Sequence, residues 1–242
     1  MKKLFLCSVL ILMILGKNVS NMAGLEDSFR ISGMGICNKN FYGTQPDGIE
    51  VMYPVFTGKN KERYEEVNQL IEEDVFATIN KAKESVEKDH PGTPIFAYWE
   101  YEIKYLSDSF ISIVYQGRGP SVNITSRCFR TINIDTNEAK KIEISDIVKD
   151  EDAVYNLLAT DQFESITSWE GVKGNYSFSD PHSPFICSIP PDPGLKGGRY
   201  YISEDNFVFV VVSGREFYEY AIALDKIKEY LNEDILKKIP LE

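Results

Sequence analysis

The stretch of residues 128–147 constrains the fold more than any other, because strand, turn and helix signals follow one another closely there. In its first half the side chains alternate between two faces, which is the period of a β-strand. Residues 135–137 then supply short polar side chains that bond their own backbone in turns. A second strand is predicted at residues 141–144, and Ser145 or Asp146 is expected to cap a following helix.

The longest helical pattern runs from residue 60 to about residue 88. Its apolar side chains recur three or four positions apart, which places them on one face of a helix. Asn68 falls beside this apolar stripe, where we expect it to form hydrogen bonds at the edge of the core rather than to bind a ligand. The stripe consists of Tyr64, Val67, Ile71, Val75, Ile79, Ala82 and Val86.

Strands are predicted on both sides of this helix. Residues 24–47 suggest an irregular lead or a short edge strand, and the alternating residues 48–56 predict a strand. Pro54 has no amide hydrogen to donate, so that strand should lie at an edge or be bulged there. Three strands of a meander follow within residues 96–134, with a turn expected at residues 117–120. Short turns between consecutive strands imply antiparallel pairing.

The C-terminal part of the chain predicts more strands and a final helix. Residues 199–203 and 206–213 read as two strands joined by a tight turn. The second is apolar throughout, so we expect it to be central and covered on both faces. A strand at residues 217–223 and a helix at residues 226–238, capped by Asp225, complete the pattern. The fold class predicted is therefore α+β, with antiparallel sheets and packed helices.

The N-terminus has the order of residues found in a secretory signal peptide. Lys2 and Lys3 precede an apolar run at residues 4–15, and small residues follow at 20–23. The apolar run is about a dozen residues long, short of the roughly 20 that span a bilayer. We expect residues 1–23 to be removed, although the lack of an Ala-x-Ala site leaves an uncleaved anchor as the alternative. The protein is thus predicted to be secreted or extracytoplasmic.

The cysteines and histidines give little support to a metal site. Cys37, Cys128 and Cys187 follow the leader, and they allow one disulfide plus a spare thiol or buried free thiols. His90 and His182 each fall in an apparent loop, and no Cys-x-x-Cys occurs. Neither a zinc site nor a Cys–His protease is favoured by this pattern. We expect no metal and no cofactor.

The charge of the chain limits its partners. The formal net charge of −11 becomes −14 when residues 1–23 are removed, because they contain three lysines and no acidic residue. Such acidity disfavours a nucleic acid or an anionic membrane, so membrane contact is expected only through an uncleaved leader. A basic protein would be attracted, although solubility alone also explains the charge.

Residues 165–198 form a long segment rich in Pro, Gly and Ser that also carries aromatic residues. A loop of this length inside a compact domain is usually functional or disordered. The aromatic residues favour a contact surface, with a packed but inert insertion as the alternative. The binding residues predicted in this loop are Trp169, Glu170, Tyr176, Phe178, Asp180 and Phe185.

The order of these strand and turn motifs resembles the RsiV-like family of exported bacterial proteins. In that family a DUF4163-type region, here residues 48–120, precedes a DUF3298-type domain, here residues 121–242. The resemblance implies an α+β fold in which helices pack on antiparallel sheets. The motifs that carry it are Tyr53, Pro54, Asn68, Ile71, residues 101–103, 111–115, 131–135, 144–147 and 201–203, Asn206, Phe207, Tyr218 and Tyr220.

The resemblance implies binding rather than catalysis. Some family members carry a polysaccharide deacetylase domain, whose metal-binding Asp and His motifs are not found in this sequence. Others are transmembrane anti-sigma factors whose DUF3298-type ectodomain binds lysozyme. Because the apolar run begins at residue 4, we expect no cytoplasmic segment that would hold a sigma factor. No catalytic residue of the family is available to transfer.

Two hypotheses for the function follow. In the first, the protein is a non-catalytic extracytoplasmic binding module for a basic protein such as lysozyme or for a cell-wall glycan. In the second, it is a glycan hydrolase that acts through two of the carboxylates Glu100, Glu102, Asp135 and Asp180. The chain contains 37 acidic residues, so chance pairs are expected and the non-enzymatic reading is preferred.

Overall fold

Two β-sheets packed against helices make up the fold seen in the computed structural model. The model describes residues 34–43, 47–122, 127–166, 199–213 and 216–239. Within these ranges the fold class is α+β, as predicted. The leader at residues 1–23 and the six predicted loop residues from Trp169 to Phe185 lie outside the described residues, as do Cys187 and His182.

The larger sheet, sheet A, has six strands in the order β1-β2-β3-β4-β5-β6. Neighbouring strands are antiparallel except β2 and β3, which run parallel where Gly48 pairs with Phe96 and Val51 with Trp99. The prediction of antiparallel sheets is wrong for this pair, because a long helix between the two strands returns the chain to the same end of the sheet. The strands are β1 (Met34–Tyr42), β2 (Gly48–Gly58), β3 (Phe96–Leu106), β4 (Phe110–Ser121), β5 (Arg127–Asp135) and β6 (Lys140–Lys141).

The N-terminal strands differ in detail from the sequence pattern. Residues 34–42 form β1, the edge strand that was the alternative to an irregular lead. Strand β2 lies between β1 and β3, so the edge position predicted from Pro54 is wrong. Pro54 is opposite Asn38 of β1, whereas the pairing with β3 ends at Val51. The proline therefore lies beyond the part of β2 that pairs on both sides, where a missing amide costs least.

Helix α1 (Lys61–Asp89) crosses the face of sheet A and confirms the longest helical pattern. The side chain of Asn60 accepts from the Arg63 amide and caps its first turn. Asn68 bonds to the backbone of Phe56 twice, accepting from its nitrogen at 2.7 Å and donating to its oxygen at 2.8 Å. This is the predicted role at the core edge. The buried side chains of α1 are Tyr64, Val67, Ile71, Val75 and Ile79.

The second sheet, sheet B, has the strand order β7-β10-β9-β8. Its strands are β7 (Glu164–Ser165), β8 (Arg199–Ser203), β9 (Asn206–Ser213) and β10 (Glu216–Ala223). Strand β9 is central, as predicted, and both of its faces are buried. Phe207 and Phe209 belong to the core on the helix side, while Val208 and Val210 pack towards sheet A with Val114.

Four short helices accompany sheet B. They are α2 (Ile144–Ile147), α3 (Glu151–Ala159), a 3₁₀ helix (Leu224–Tyr230) and α4 (Glu233–Lys238). The single helix predicted at residues 226–238 is therefore wrong. It is interrupted where Leu231 bridges to Val148 and Asn232 donates from Nδ2 to the carbonyls of Ser145 and Asp146. Four of the five apolar positions predicted for this helix, Ile227, Leu231, Ile235 and Ile239, are nevertheless buried in the core, and the fifth, Tyr230, is partly buried against it.

The segment after β5 also departs from the prediction. The turn is confirmed, because Asp135 Oδ1 accepts from the Asn137 amide at 2.8 Å. Of the predicted strand 141–144 only Lys141 lies in a strand, the two-residue β6, and Ile144 already begins α2. Asp146 is not the cap but lies inside α2, where its carboxylate accepts from the Glu143 amide at 2.9 Å. Tertiary packing of Ile144 in the core overrides the local strand pattern.

The regions 48–120 and 121–242 distinguished in the sequence share sheet A, because β4 and β5 pair from Phe110 and Asp135 to Arg118 and Arg127. The layers lie in the order α1, sheet A, sheet B and the short helices. In the described ranges no helix is both long and apolar enough to cross a membrane.

Candidate functional site

The candidate site lies on the face of sheet A that is turned away from α1. Side chains that alternate with the buried Trp99 point away from α1. Among the described residues, sheet B covers this face only in part, at Ser112, Val114, Phe129 and Asn133. The uncovered part forms a trough of about 430 Å³. We use "the trough" for the surface lined by Tyr98, Glu100, Gln116, Gly117, Arg118 and Arg127.

Backbone geometry explains why the trough lies at this point of the sheet. The sequence predicts a turn at residues 117–120, but β4 continues through them to Ser121. Gly117 has φ +153°, and a Cβ on it would be 2.0 Å from the carbonyl oxygen of Tyr98. A Cβ on Gly119, at φ +74°, would be 1.9 Å from the carbonyl oxygen of Phe96. Only glycine lets β4 approach β3 this closely.

Tyr98 presents the aromatic surface of the trough. Its side chain is 47% exposed, which is unusual for a large apolar ring in the described part of this chain. The hydroxyl donates to Glu100 Oε1 at 2.9 Å. This hydrogen bond, together with partial burial and the charges of Glu100 and Glu50, raises the pKa of Tyr98. The ring is therefore held in one orientation and stays neutral.

Two guanidinium groups lie beside this ring. Strand register places Arg118 opposite Tyr98 on one side and opposite Arg127 on the other. Both arginines are exposed. The next row across the same strands consists of Glu100, Gln116 and Phe129. The trough thus combines one aromatic ring, one carboxylate, one amide and two cations.

A second group of titratable side chains lies where sheet B meets β3. Glu219 of β10 is only 7% exposed, and its Oε1 accepts from the hydroxyl of Tyr201 at 2.6 Å. Burial raises the pKa of Glu219, although the Tyr201 hydrogen bond and the charge of Lys104 oppose this. Lys104 Nζ is 2.8 Å from Glu102 Oε2 and 5.5 Å from the centre of the Tyr201 ring. A buried acid therefore lies near an ion pair in which Glu102 is exposed and Lys104 is largely buried.

The carboxylates predicted for a hydrolase are not brought together as one site. Glu100 is opposite Gln116, whereas Asp135 is opposite Phe110 near the other end of β4. Asp135 is fully buried, and Lys238 Nζ lies 2.5 Å from its Oδ2. Asp180 lies outside the described residues. Asp135 therefore has a structural partner, and Glu100 and Glu102 are the predicted carboxylates that face the open side.

Sequence reasoning missed Glu219 and the two arginines. Glu219 alternates with Phe217 and Ala221, which face the same core, so a charged residue on an otherwise apolar strand face was the available signal. No such signal existed for Arg118 and Arg127. Their proximity depends on the register between β4 and β5, and alternation along each strand limits which face a side chain is on without giving its partner on the next strand.

A second groove of about 660 Å³ lies at the C-terminal end of α1. Its buried carboxylate is Asp47, which accepts from the Ile95 amide at 3.0 Å and lies 2.5 Å from Lys83 Nζ. Burial alone would raise the pKa of Asp47, but these two hydrogen bonds lower it below its ordinary value. The pair ties α1 to the start of β2 and β3, so we assign this groove a structural role.

The described cysteines and histidine do not assemble a reactive centre. Cys37 is exposed and Cys128 buried, and both are free thiols. Burial raises the pKa of Cys128 to about 11, which keeps it protonated and unreactive. His90 follows the last turn of α1 and is exposed. Among the described residues no three His, Cys, Asp or Glu side chains are grouped as a metal ion would require.

Comparisons with known proteins find one family model that matches the sequence and several solved structures that resemble the fold. The family model described as "Deacetylase PdaC" matches residues 44–117, which include β2, α1, β3 and Tyr98, Glu100 and Gln116 of the trough. No curated protein matches the chain.

Two of the similar solved structures are members of the DUF3298 family. A crystal structure from Bacteroides fragilis covers 86% of this chain and 96% of its own, with 11% identity and a TM-score of 0.44. One from Pseudomonas aeruginosa covers 84% of this chain and 95% of its own, with 12% identity and a TM-score of 0.46.

Proposed function

We propose that this chain is a non-catalytic extracytoplasmic binding module that holds a saccharide, such as a cell-wall glycan, in the trough. The exposed ring of Tyr98, fixed by Glu100, is the observation that carries the proposal. The C–H face of a pyranose packs on an aromatic ring, while its hydroxyls donate and accept hydrogen bonds. Gln116 does both, and Arg118 and Arg127 donate. The trough therefore supplies what sugar recognition needs.

The family resemblance supports a binding role in the cell envelope. The RsiV-like family that the sequence resembles contains receptors as well as enzymes. The family model over residues 44–117 is named for a deacetylase. From these relatives we carry over the envelope location and the act of binding, and not a reaction.

The charge of the trough favours a saccharide over a basic protein as its ligand. The whole chain has a formal charge of −11, which attracts a protein such as lysozyme. Arg118 and Arg127 have the same sign as that partner and would repel it locally. A basic protein would need another surface, and the loop from Trp169 to Phe185 remains the predicted one. Titrating lysozyme into Trp169→Ala and Phe185→Ala at two salt concentrations tests that separate prediction.

Calorimetric titration with chitotetraose and with glycan strands released from peptidoglycan tests the proposal. The parent protein should bind in a saturable way, and Tyr98→Ala should weaken binding about tenfold because the ring contact is lost. Tyr98→Phe keeps the ring and should retain most of the affinity. Tyr42→Ala is the matched control, since Tyr42 is 61% exposed on the edge strand β1. Absence of saturable binding to either ligand refutes the proposal.

A hydrolase is the second candidate, and Glu102 and Glu219 are the pair that favours it. Glycosidases use two carboxyl groups whose environments separate their pKa values. Burial raises the pKa of Glu219, whereas Glu102 is exposed and pairs with Lys104. Release of reducing ends from purified peptidoglycan should then occur and be lost in Glu102→Gln and Glu219→Gln. If the parent protein releases none, the hydrolase is refuted while the binding module stands.

The location is part of the proposal and is tested separately. The order of charged, apolar and small residues at 1–23 is its basis. After cell fractionation the protein should lie outside the cytoplasmic membrane, with a mature N-terminus near Gly24. Full-length protein in the cytoplasm contradicts this expectation.

A further inference from the structure

We propose that the saccharide held in the trough is acidic and that its carboxylate lies between Arg118 and Arg127. This inference rests on the proposed function and adds the chemical class of the ligand. It is carried by the arrangement of three side chains in one row across three strands. Tyr98 of β3, Arg118 of β4 and Arg127 of β5 are consecutive neighbours in that row.

The two arginines are placed where like charges repel. Directly opposed residues of an antiparallel pair have Cβ atoms roughly 4.5–5.5 Å apart, and like charges in this position destabilise a sheet. Arg118 and Arg127 occupy such a position at the exposed end of the β4–β5 pair. An oxyanion between them would relieve this repulsion. Arginine presents a planar fork of donors that matches a carboxylate, so the site selects for that group as well as for charge.

Other cations of sheet A are matched by carboxylates of α1 on the opposite face, which sets Arg118 apart. Arg130 and Lys141 both pair with Asp74, at 2.7 and 3.3 Å. Lys39 pairs with Glu72 at 2.6 Å. Arg118, in contrast, forms no ion pair within the described ranges.

The carboxylate of the trough does not take this role for Arg118. Glu100 already accepts from the Tyr98 hydroxyl, and it lies opposite Gln116 in the neighbouring row. Arg118 therefore adds a positive charge to the trough that no described carboxylate pairs with, in a chain whose formal charge is −11.

The spacing across the row suits a sugar that carries an acidic substituent. Neighbouring strands are roughly 4.8 Å apart, so Tyr98 and Arg127 are separated by about 10 Å at the backbone. A pyranose ring on Tyr98 would then place a carboxylate on its own ring or on the next sugar near the guanidinium groups. Glu100 and Gln116, one row further along, would meet the hydroxyls of the same sugar. A neutral glycan would meet the ring, this second row and the guanidinium donors, but it would lack the carboxylate that forms charge-assisted hydrogen bonds with them.

Two tetrasaccharides that differ in their acidic groups test the inference. One is the alternating N-acetylglucosamine and N-acetylmuramic acid tetrasaccharide with free lactyl carboxylates, and the other is chitotetraose. By calorimetry at low salt the acidic ligand should bind about tenfold more tightly, because charge-assisted hydrogen bonds exceed neutral ones. Arg118→Gln should remove this preference, because it should weaken binding of the acidic ligand much more than binding of chitotetraose. Lys81→Gln removes the same charge from an exposed position of α1 and is the control.

Further variants and a further ligand distinguish this inference from the proposed function. Arg127→Gln should behave like Arg118→Gln, although Arg127 has a further interaction, which makes Arg118 the cleaner position. If the parent binds both tetrasaccharides equally and Tyr98→Ala weakens both, the saccharide module stands and the acidic ligand is refuted. If a glycerol phosphate oligomer binds as tightly and independently of Tyr98, the arginines form a general anion site and the inference is overturned. If no ligand binds, both proposals fail.

Discussion

The hydroxyl of Ser112 donates to Oδ1 of Asn133 at 2.5 Å, and both side chains are buried between the two sheets. They lie on β4 and β5 of sheet A, opposite each other in register. Ser112 Oγ accepts from the Ile202 amide at 3.1 Å, and Asn133 Nδ2 donates to the Tyr200 carbonyl at 3.1 Å. Strand β8 is at the edge of sheet B, so these side chains satisfy backbone groups that the sheet itself leaves open.

Asn133→Ala is predicted to destabilise the fold by about 1–3 kcal/mol, because it leaves the Tyr200 carbonyl and the Ser112 hydroxyl buried without this partner. The free energy of unfolding is measured by urea denaturation. Asn137→Ala, in the exposed turn after β5, is the control and should change it by less than about 0.5 kcal/mol. Equal effects of the two substitutions would show that the contact between β8 and sheet A contributes little.

Phe209→Ala is predicted to cost about 3–5 kcal/mol, because it removes buried area from the central strand β9 and leaves a cavity. Phe209 is 7% exposed and lies between Tyr200 of β8 and Tyr220 of β10. Urea denaturation of the parent and the variant measures this loss in the free energy of unfolding. Phe41→Ala, on the partly exposed edge strand β1, should cost less. A loss below about 1 kcal/mol at Phe209 would contradict the central position of β9 in the folded protein.

The sequence predicts the elements whose pattern reflects burial on one face. Helix α1 follows from its stripe, and the role of Asn68 follows from its place beside that stripe. Strand β9 follows from its apolar run, since both faces are covered.

Features that depend on pairing between distant segments were not predictable in this way. The parallel pairing of Gly48 with Phe96 follows from the path of α1, and the extension of β4 through Gly117 follows from its close approach to β3. The trough exists only once Tyr98, Arg118 and Arg127 are in register. The alternation within one strand indicates which face each side chain is on, but not which residue of the neighbouring strand lies opposite it.

The pair of Asp135 and Lys238 is predicted to make the protein less stable in acid. Burial alone would raise the pKa of Asp135, but hydrogen bonds from Lys238 and from the Asn137 and Glu138 amides lower it below its ordinary value of 3.8. A lowered folded pKa gives stability that is present above pH 3.8 and is lost as the pH falls through the folded value. The free energy of unfolding should therefore decrease when the pH is lowered below about 4.

Asp135→Asn removes the titrating carboxyl group and therefore tests whether Asp135 causes the predicted loss of stability in acid. Its free energy of unfolding should be lower than that of the parent at pH 7, with a difference that shrinks as the pH is lowered below about 4. Asp234→Asn is the control, because Asp234 forms an exposed pair with Lys237 on the same helix. A parent and an Asp135→Asn variant that differ equally at pH 7 and pH 2 would contradict the role of this carboxylate.

Glu219 is predicted to make the protein less stable as the pH rises, which is the opposite of the effect of Asp135. Burial raises the pKa of Glu219 above its ordinary value of 4.5, and the charge of Glu102 acts in the same direction. For a raised folded pKa of an acid, the stabilising contribution is present below the unfolded pKa and is lost as the pH rises through the folded value. Ionised Glu219 therefore reduces the stability of the parent at neutral pH and above, despite the hydrogen bond from Tyr201.

Glu219→Gln is isosteric and uncharged, and its side-chain oxygen can still accept from Tyr201. Its free energy of unfolding should exceed that of the parent at pH 8, and the gain should disappear towards pH 4. Glu100→Gln, at an exposed position of β3, controls for the loss of one negative charge from the acidic chain. If Glu219→Gln destabilises the protein at pH 8, then Lys104 stabilises the ionised carboxylate more than burial opposes it. The position of Glu219 in the core would in that case be explained by the charge of Lys104 rather than by protonation.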